Sequence, residues 1–189
     1  MARFDPARYP APVAALLAEP RLMPLDAGAP NEATLEQLRA LDEARLCDGR
    51  ALRNREMASA CLAGLWLYHG FLDASHRISQ SLRGREGSYW HGIMHRREGD
   101  YANAKYWFRR AGAHPIHEPL GRSARTLAED AGAGVPLGTS GTWDAAAFVD
   151  LCAAACAGQS GARDLCRKIQ EREWQLLFDY CYRRAVGTG

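Results

Sequence analysis

An all-α fold follows from two features of the sequence. Leucine and other apolar residues recur at intervals of three and four along most of the chain, the spacing of one helix face. No stretch sustains the alternation of β-branched and polar residues that a half-buried strand requires. Glycine and proline cut this pattern into helix-sized pieces, which predicts a compact helical bundle behind an irregular, proline-rich N-terminal arm.

The elements follow in order. Six of the nine prolines (Pro6, Pro10, Pro12, Pro20, Pro24, Pro30) fall in the first 30 residues. Their fixed φ and missing N–H donors exclude long regular structure there, apart from a short helix around 13–19. Residues 1–30 are therefore the arm, and 31–189 a single helical domain. Asn31 is placed to cap a helix carrying Leu35, Leu38, Leu41 and Leu46, which Asp48 and Gly49 end. A second helix is expected over 50–69, with Cys61, Leu62, Leu65 and Trp66 as its stripe and Gly70 as its break, and a third over 72–82. Residues 83–87 read as a loop. Two antiparallel helices, 89–98 and 101–111, turn at Gly99, with Asp100 capping the second. Between Gly112 and Thr142 only 123–131 reads as helical, and a glycine-rich run follows it. Thr142 is then read as the cap of a helix to Ala157. A last helix, 162–185, sets Leu165, Ile169, Leu176, Leu177, Phe178 and Cys181 near one face, with Trp174 beside it.

Composition bounds the function. Of 189 residues 47% are hydrophobic and 24% charged, enough for one packed domain. Lys plus Arg (24) against Asp plus Glu (22) gives a net charge of +2, so there is no electrostatic footprint for nucleic acid. Apolar runs fall well short of the roughly 20 residues that span a bilayer, so no membrane partner is expected, and a cytoplasmic protein is. The six cysteines include no CxxC pair and read as reduced core residues. Lys105 and Lys168 are the only lysines; the remaining basic residues are arginine. The glycines of the AGAGVPLGTSGT run match neither GxGxxG nor GxxxxGK[ST], and Ser140 lacks a GxSxG frame.

All six histidines lie between residues 69 and 117. His91, His95 and Glu98 stand at i, i+4, i+7, within about 60° of one another on one helix face. Two imidazoles one turn apart can share a metal ion, and a carboxylate on the next turn can serve as third ligand or general base. The same spacing also arises in a structural hydrogen-bonding face. On the preceding helix Asp73 and His76 stand at i, i+3; Asp73 is read as favouring the helix dipole, while His76 is either a surface residue or a third metal ligand. The helix 101–111 adds Asn103, Lys105, Tyr106, Trp107, Arg109 and Arg110 around an Ala104/Phe108/Ala111 seam. With Arg97, these cations suit either a small anion or a partner's carboxylates.

Two resemblances attach to this region. Gly92, the turn Gly99-Asp100-Tyr101, Ala104, Phe108 and Ala111 fall where a tetratricopeptide unit has its small and aromatic residues, and Phe71, Ala74, Ile78 and Ser81 echo the second half 30 residues earlier. With no third copy, this implies two similar hairpins within a bundle (about 60–116) rather than a solenoid. The run SYWHGIMHRREGDYANAKYWFRR, residues 88–110, with LDASHRISQS at 72–81 ahead of it, resembles a family of hypothetical proteins to which no activity is assigned; it implies no residue role.

Two functions compete, the first being the preferred reading and the second its alternative. The first is a helical binding protein whose polar groove, formed by His76, His91, His95, Asn103, Lys105, Arg97 and Arg109, holds a small anionic ligand or peptide. The second is a metal-dependent hydrolase or isomerase with His76, His91 and His95 as ligands of a divalent ion and Glu98 as base. A homo-oligomer is compatible with both. The second requires His76, His91 and His95 to point into one place.

Overall fold

The computed structural model describes residues 4–132 and 142–188. Its regular elements there are all helical: α1 (Ala11–Leu16), α2 (Leu35–Arg39), α3 (Glu43–Cys47), α4 (Arg55–Tyr68), α5 (Leu72–Ser81), α6 (Arg85–Glu98), α7 (Tyr101–Ala111), α8 (His117–Asp130), α9 (Ala145–Cys156) and α10 (Arg163–Val186), with 3-10 turns at Pro6–Arg8 and Glu32–Thr34. None is long and apolar enough to cross a membrane.

Helices α4, α6 and α10 form the centre. Trp90 of α6 and Trp174 of α10 are fully buried and meet over Gly64 of α4. A Cβ on Gly64 would lie 2.8 Å from the Trp90 ring, so only glycine lets that indole seat, and the Gly64 carbonyl accepts from Trp174 Nε1 at 2.8 Å. Phe178 stacks on Trp174 at 4.8 Å. A second apolar cluster joins α8 and α9 to the first half of α10 through Leu120, Phe148, Cys152 and Ile169. The arm packs across both: Val13 and Met23 enter the first cluster and Leu25 the second. All six cysteines are free thiols; five are buried and Cys156 half-buried.

Where the elements differ from expectation, the cause is a distant or competing hydrogen bond. The helix expected from Asn31 to Leu46 is broken at Asp42, whose extended backbone and carboxylate start α3 by accepting from Arg45 N at 2.8 Å. Asn31 caps nothing; its N–H donates to the His69 carbonyl. Helix α4 begins at Arg55 rather than Arg50, because Arg53 and Asn54 donate to Ala185 O and Asn54 caps Met57 N. Residues 85–87 belong to α6, not to a loop: Glu56 accepts from Arg83 N and Gly84 N, a cap supplied from α4. Helix α8 starts at His117, six positions before expectation, since His114 accepts from Ile116 N and His117 N, and Pro119 sits harmlessly in the first turn. Asp144, not Thr142, caps α9. The glycine-rich run at 133–141, with Ser140, lies outside the described residues.

Candidate functional site

Helices α5, α6 and α7 lie side by side, and two glycines of α6 set how closely. At Gly87 a Cβ would meet Leu82 Cβ at 2.5 Å and the Ser79 carbonyl oxygen at 3.0 Å, so α5 closes onto the α6 backbone. At Gly92 a Cβ would lie 3.1 Å from the Phe108 ring, so α7 does the same on the other side. His91 falls between these two crossings. The close approaches bring His76 of α5 against His91 and His95 of α6, with ring centroids 4.5, 5.4 and 4.7 Å apart. One nitrogen from each imidazole lies within 4.8 Å of the other two. Tetrahedral zinc with bonds of about 2.0–2.1 Å needs nitrogens roughly 3.4 Å apart, so the three rings would close in on an ion they held.

The second nitrogens of His91 and His95 are already engaged. His91 Nδ1 lies 3.4 Å from Ser79 Oγ. That hydroxyl donates to the His76 carbonyl, so its oxygen is free to accept the Nδ1 proton and Nε2 keeps the lone pair. His95 Nδ1 lies 3.1 Å from Glu98 Oε2; the alignment is poor for a hydrogen bond, but the carboxylate favours the proton on that nitrogen. Asn103 Nδ2 stands 3.2 Å from His95 Nε2, as a donor to that lone pair. Trp107 stacks on His91 at 4.1 Å and Arg110 lies over Trp107 in turn. His91 and His95 are buried, while His76 and Asn103 are half-buried and open the site to solvent.

Burial keeps His91 and His95 neutral. Burial, then the charges of His95 and His76, push His91 down to about 4. Burial also lowers His95, opposed by Glu98 and reinforced by His76. A neutral imidazole with its other N–H held by an oxygen is the ligand form of histidine.

Several expected site residues are elsewhere. Arg97 is buried and points away from the histidines, donating to the carbonyls of Leu67 (2.7 Å), Asp26 (3.3 Å) and Ala27 (3.0 Å); it fastens the arm and lines no groove. Lys105 is ion-paired with Asp150 of α9 and is no free anion anchor. Arg109 is exposed, with no hydrogen-bond or ion-pair partner among the described residues. Glu98 lies behind His95, where it orients the ring, rather than in front of the imidazoles where a general base would stand. The other histidines are apart: His69 meets Asn31, and His114 and His117 border Tyr89. Ser79 and Trp107, which complete the site, carry no distinguishing spacing; Gly87 and Gly92 flanking His91 are the one sequence signal of close helix approach. Comparison with family models, curated proteins and solved structures found no match to this chain.

Proposed function

We propose that this chain binds one divalent metal ion, with zinc as the best fit to three imidazoles, through His76, His91 and His95, and that the ion serves a metal-assisted hydrolase or isomerase. The observation that carries it is the convergence of three ligand nitrogens within 4.8 Å, two of their rings held from behind by Ser79 and Glu98. Three protein ligands leave a tetrahedral ion one position for water, whose pKa zinc lowers to about 7. The competing anion groove loses its support with Arg97 on the arm and Lys105 on Asp150. The tetratricopeptide-like phase of 92–111 stays in this proposal as the scaffold that sets α6 beside α7. Six reduced thiols favour a cytoplasmic setting.

Elemental analysis of tag-free protein beside a His91→Ala/His95→Ala variant tests the reading. Near-stoichiometric zinc in the wild type, lost in the variant, is expected. Wild-type protein that takes up no more zinc, manganese, iron or nickel than the variant would overturn it.

A further inference from the structure

Helix α7 runs antiparallel to α6 and lays two side chains over its histidine face, one turn apart: Trp107 stacks on His91 at 4.1 Å, and Asn103 reaches His95. The register between the two helices is fixed. Ala104 and Phe108 fill the seam, with the Phe108 ring closed on Gly92, and Asp100 pins the Asn103 backbone by accepting from its N–H at 3.1 Å. The Asn103 side chain is held less firmly. Its Nδ2 stands 3.2 Å from His95 Nε2, and its Oδ1 has no hydrogen-bond partner among the described residues. An amide nitrogen has no lone pair to give, so it can occupy this place only while the His95 lone pair is unclaimed. Half a turn of the amide about Cβ–Cγ exchanges Oδ1 for Nδ2 without moving the backbone, and that torsion is broad and roughly two-fold.

We propose that Asn103 is a reversible fourth ligand of the histidine centre: a donor to His95 when the site is empty, and a ligand through Oδ1 when His76, His91 and His95 hold an ion. This rests on the metal reading above and adds to it what holds the fourth position at rest. The distance selects Asn103. In a tetrahedral zinc site with bonds of about 2.0–2.1 Å neighbouring ligand atoms lie roughly 3.4 Å apart, and the end of the Asn103 side chain already lies 3.2 Å from a ligand nitrogen. Ser79 and Glu98 stand elsewhere, beside the Nδ1 atoms of their rings and behind the ligand nitrogens. Donors from α5, α6 and α7 then surround the ion, with the Trp107 stack holding α7 in register. A neutral amide oxygen suits zinc less well than imidazole does, so it is the ligand that gives way. Asn103 is half-buried, on the solvent side of the site, and yields its position when water or substrate enters.

The sign of one substitution tests this. Asn103→Ala, titrated with zinc against a chromophoric chelator, should bind about tenfold more weakly than wild type, because a ligand is lost. Asn103→Leu, close to asparagine in size but without a donor atom, should behave as alanine does, and unchanged circular dichroism of both metal-free variants confirms that the fold survives. If Asn103 only caps the His95 lone pair, its removal frees that nitrogen; zinc binding as tight as wild type or tighter in both variants overturns the proposal and leaves the metal site standing. Coordination gives an independent readout. In cobalt-loaded protein, azide should shift the visible absorption of Asn103→Ala, where water holds the fourth position, at lower concentration than it shifts the wild type; equal sensitivity overturns the proposal. Wild-type protein that takes up neither zinc nor cobalt overturns the metal reading, and this inference with it.

Discussion

Helix α6 buries polar side chains on two sides, and the chain treats them in opposite ways. Toward α10, Arg96 is fully buried: its NH2 donates to Glu173 at 2.6 Å and Gln170 at 3.2 Å, Phe148 lies 4.6 Å beneath the guanidinium, and Glu173 also accepts from Tyr89. Toward α5 and α7, His91 and His95 are buried almost as deeply, yet His91 is held by one nitrogen and keeps the other free, while His95 has Glu98 beside Nδ1 and on Nε2 the Asn103 amide, a donor that an ion would displace. A charge cannot be buried without an internal counterpart, and on this side Arg96 has Glu173, although its Nε and NH1 find no hydrogen-bond partner among the described residues. A neutral imidazole can be buried while keeping a lone pair to give, so the histidine side is left open to an ion. Depth of burial alone does not separate a structural cluster from a ligand site; what separates them is where the last acceptor points.

The largest effect expected comes from breaking the Arg96 side. Glu173→Ala strands the Arg96 charge and the Tyr89 hydroxyl, and should cost about 3–5 kcal/mol in urea unfolding. His91→Ala, measured without metal, removes no compensated charge and should cost about 1 kcal/mol. Equal losses would erase the distinction between the two sides. Next comes Glu98→Gln on the open side. Removing the carboxylate behind His95 should weaken zinc binding by roughly 10- to 100-fold with little change in metal-free stability. A direct ligand or a mere surface acid would show a different pairing of those two readouts.

The fold class, the α6–α7 turn and the histidine face were legible because they depend on residues close in sequence. Gly99 has φ +82 and Asp100 caps Asn103 N, both local consequences of one turn. His91 and His95 share a face by periodicity. Of the elements misread, the starts of α4, α6 and α8 are set by Ala185, Glu56 and His114, two of which act from more than 25 positions away, while the break at Asp42 and the α9 cap at Asp144 are local choices between competing caps. Arg97 and Lys105 looked like ligand cations for the same reason: the backbone carbonyls and Asp150 that engage them lie on other elements. A periodic pattern gives the face a side chain occupies, not the partner waiting opposite it.

Acid sharpens the comparison with a smaller effect. An unfolded histidine titrates near 6.5, while burial and neighbouring imidazoles hold His91 at about 4 in the fold. Below pH 6.5 the unfolded chain takes up a proton that the folded chain refuses. The histidine contribution to stability should therefore be flat above that pH and fall between about 6.5 and 4, with His69 and His117, also depressed to about 4 chiefly by burial, adding to the slope, while Glu171, raised by burial to about 7, opposes it between about 4.5 and 7. His91→Ala should reduce the slope of unfolding free energy against pH by about one proton; an unchanged slope would mean that His91 protonates freely in the fold.

The smallest effect belongs to a contact that sequence made prominent. Lys105 pairs with Asp150 at the surface between α7 and α9, with the aspartate side chain 65% exposed. Ion pairs in that much water contribute between nothing and about 1 kcal/mol, because solvent screens the attraction and two long side chains must be held still. Lys105→Ala should therefore lower stability by less than about 1 kcal/mol, less still at high salt, and leave zinc uptake at the wild-type level. A loss of metal on this substitution would place Lys105 functionally with the histidines despite its bond to α9, and would return the site to the cation-lined groove that its sequence suggests.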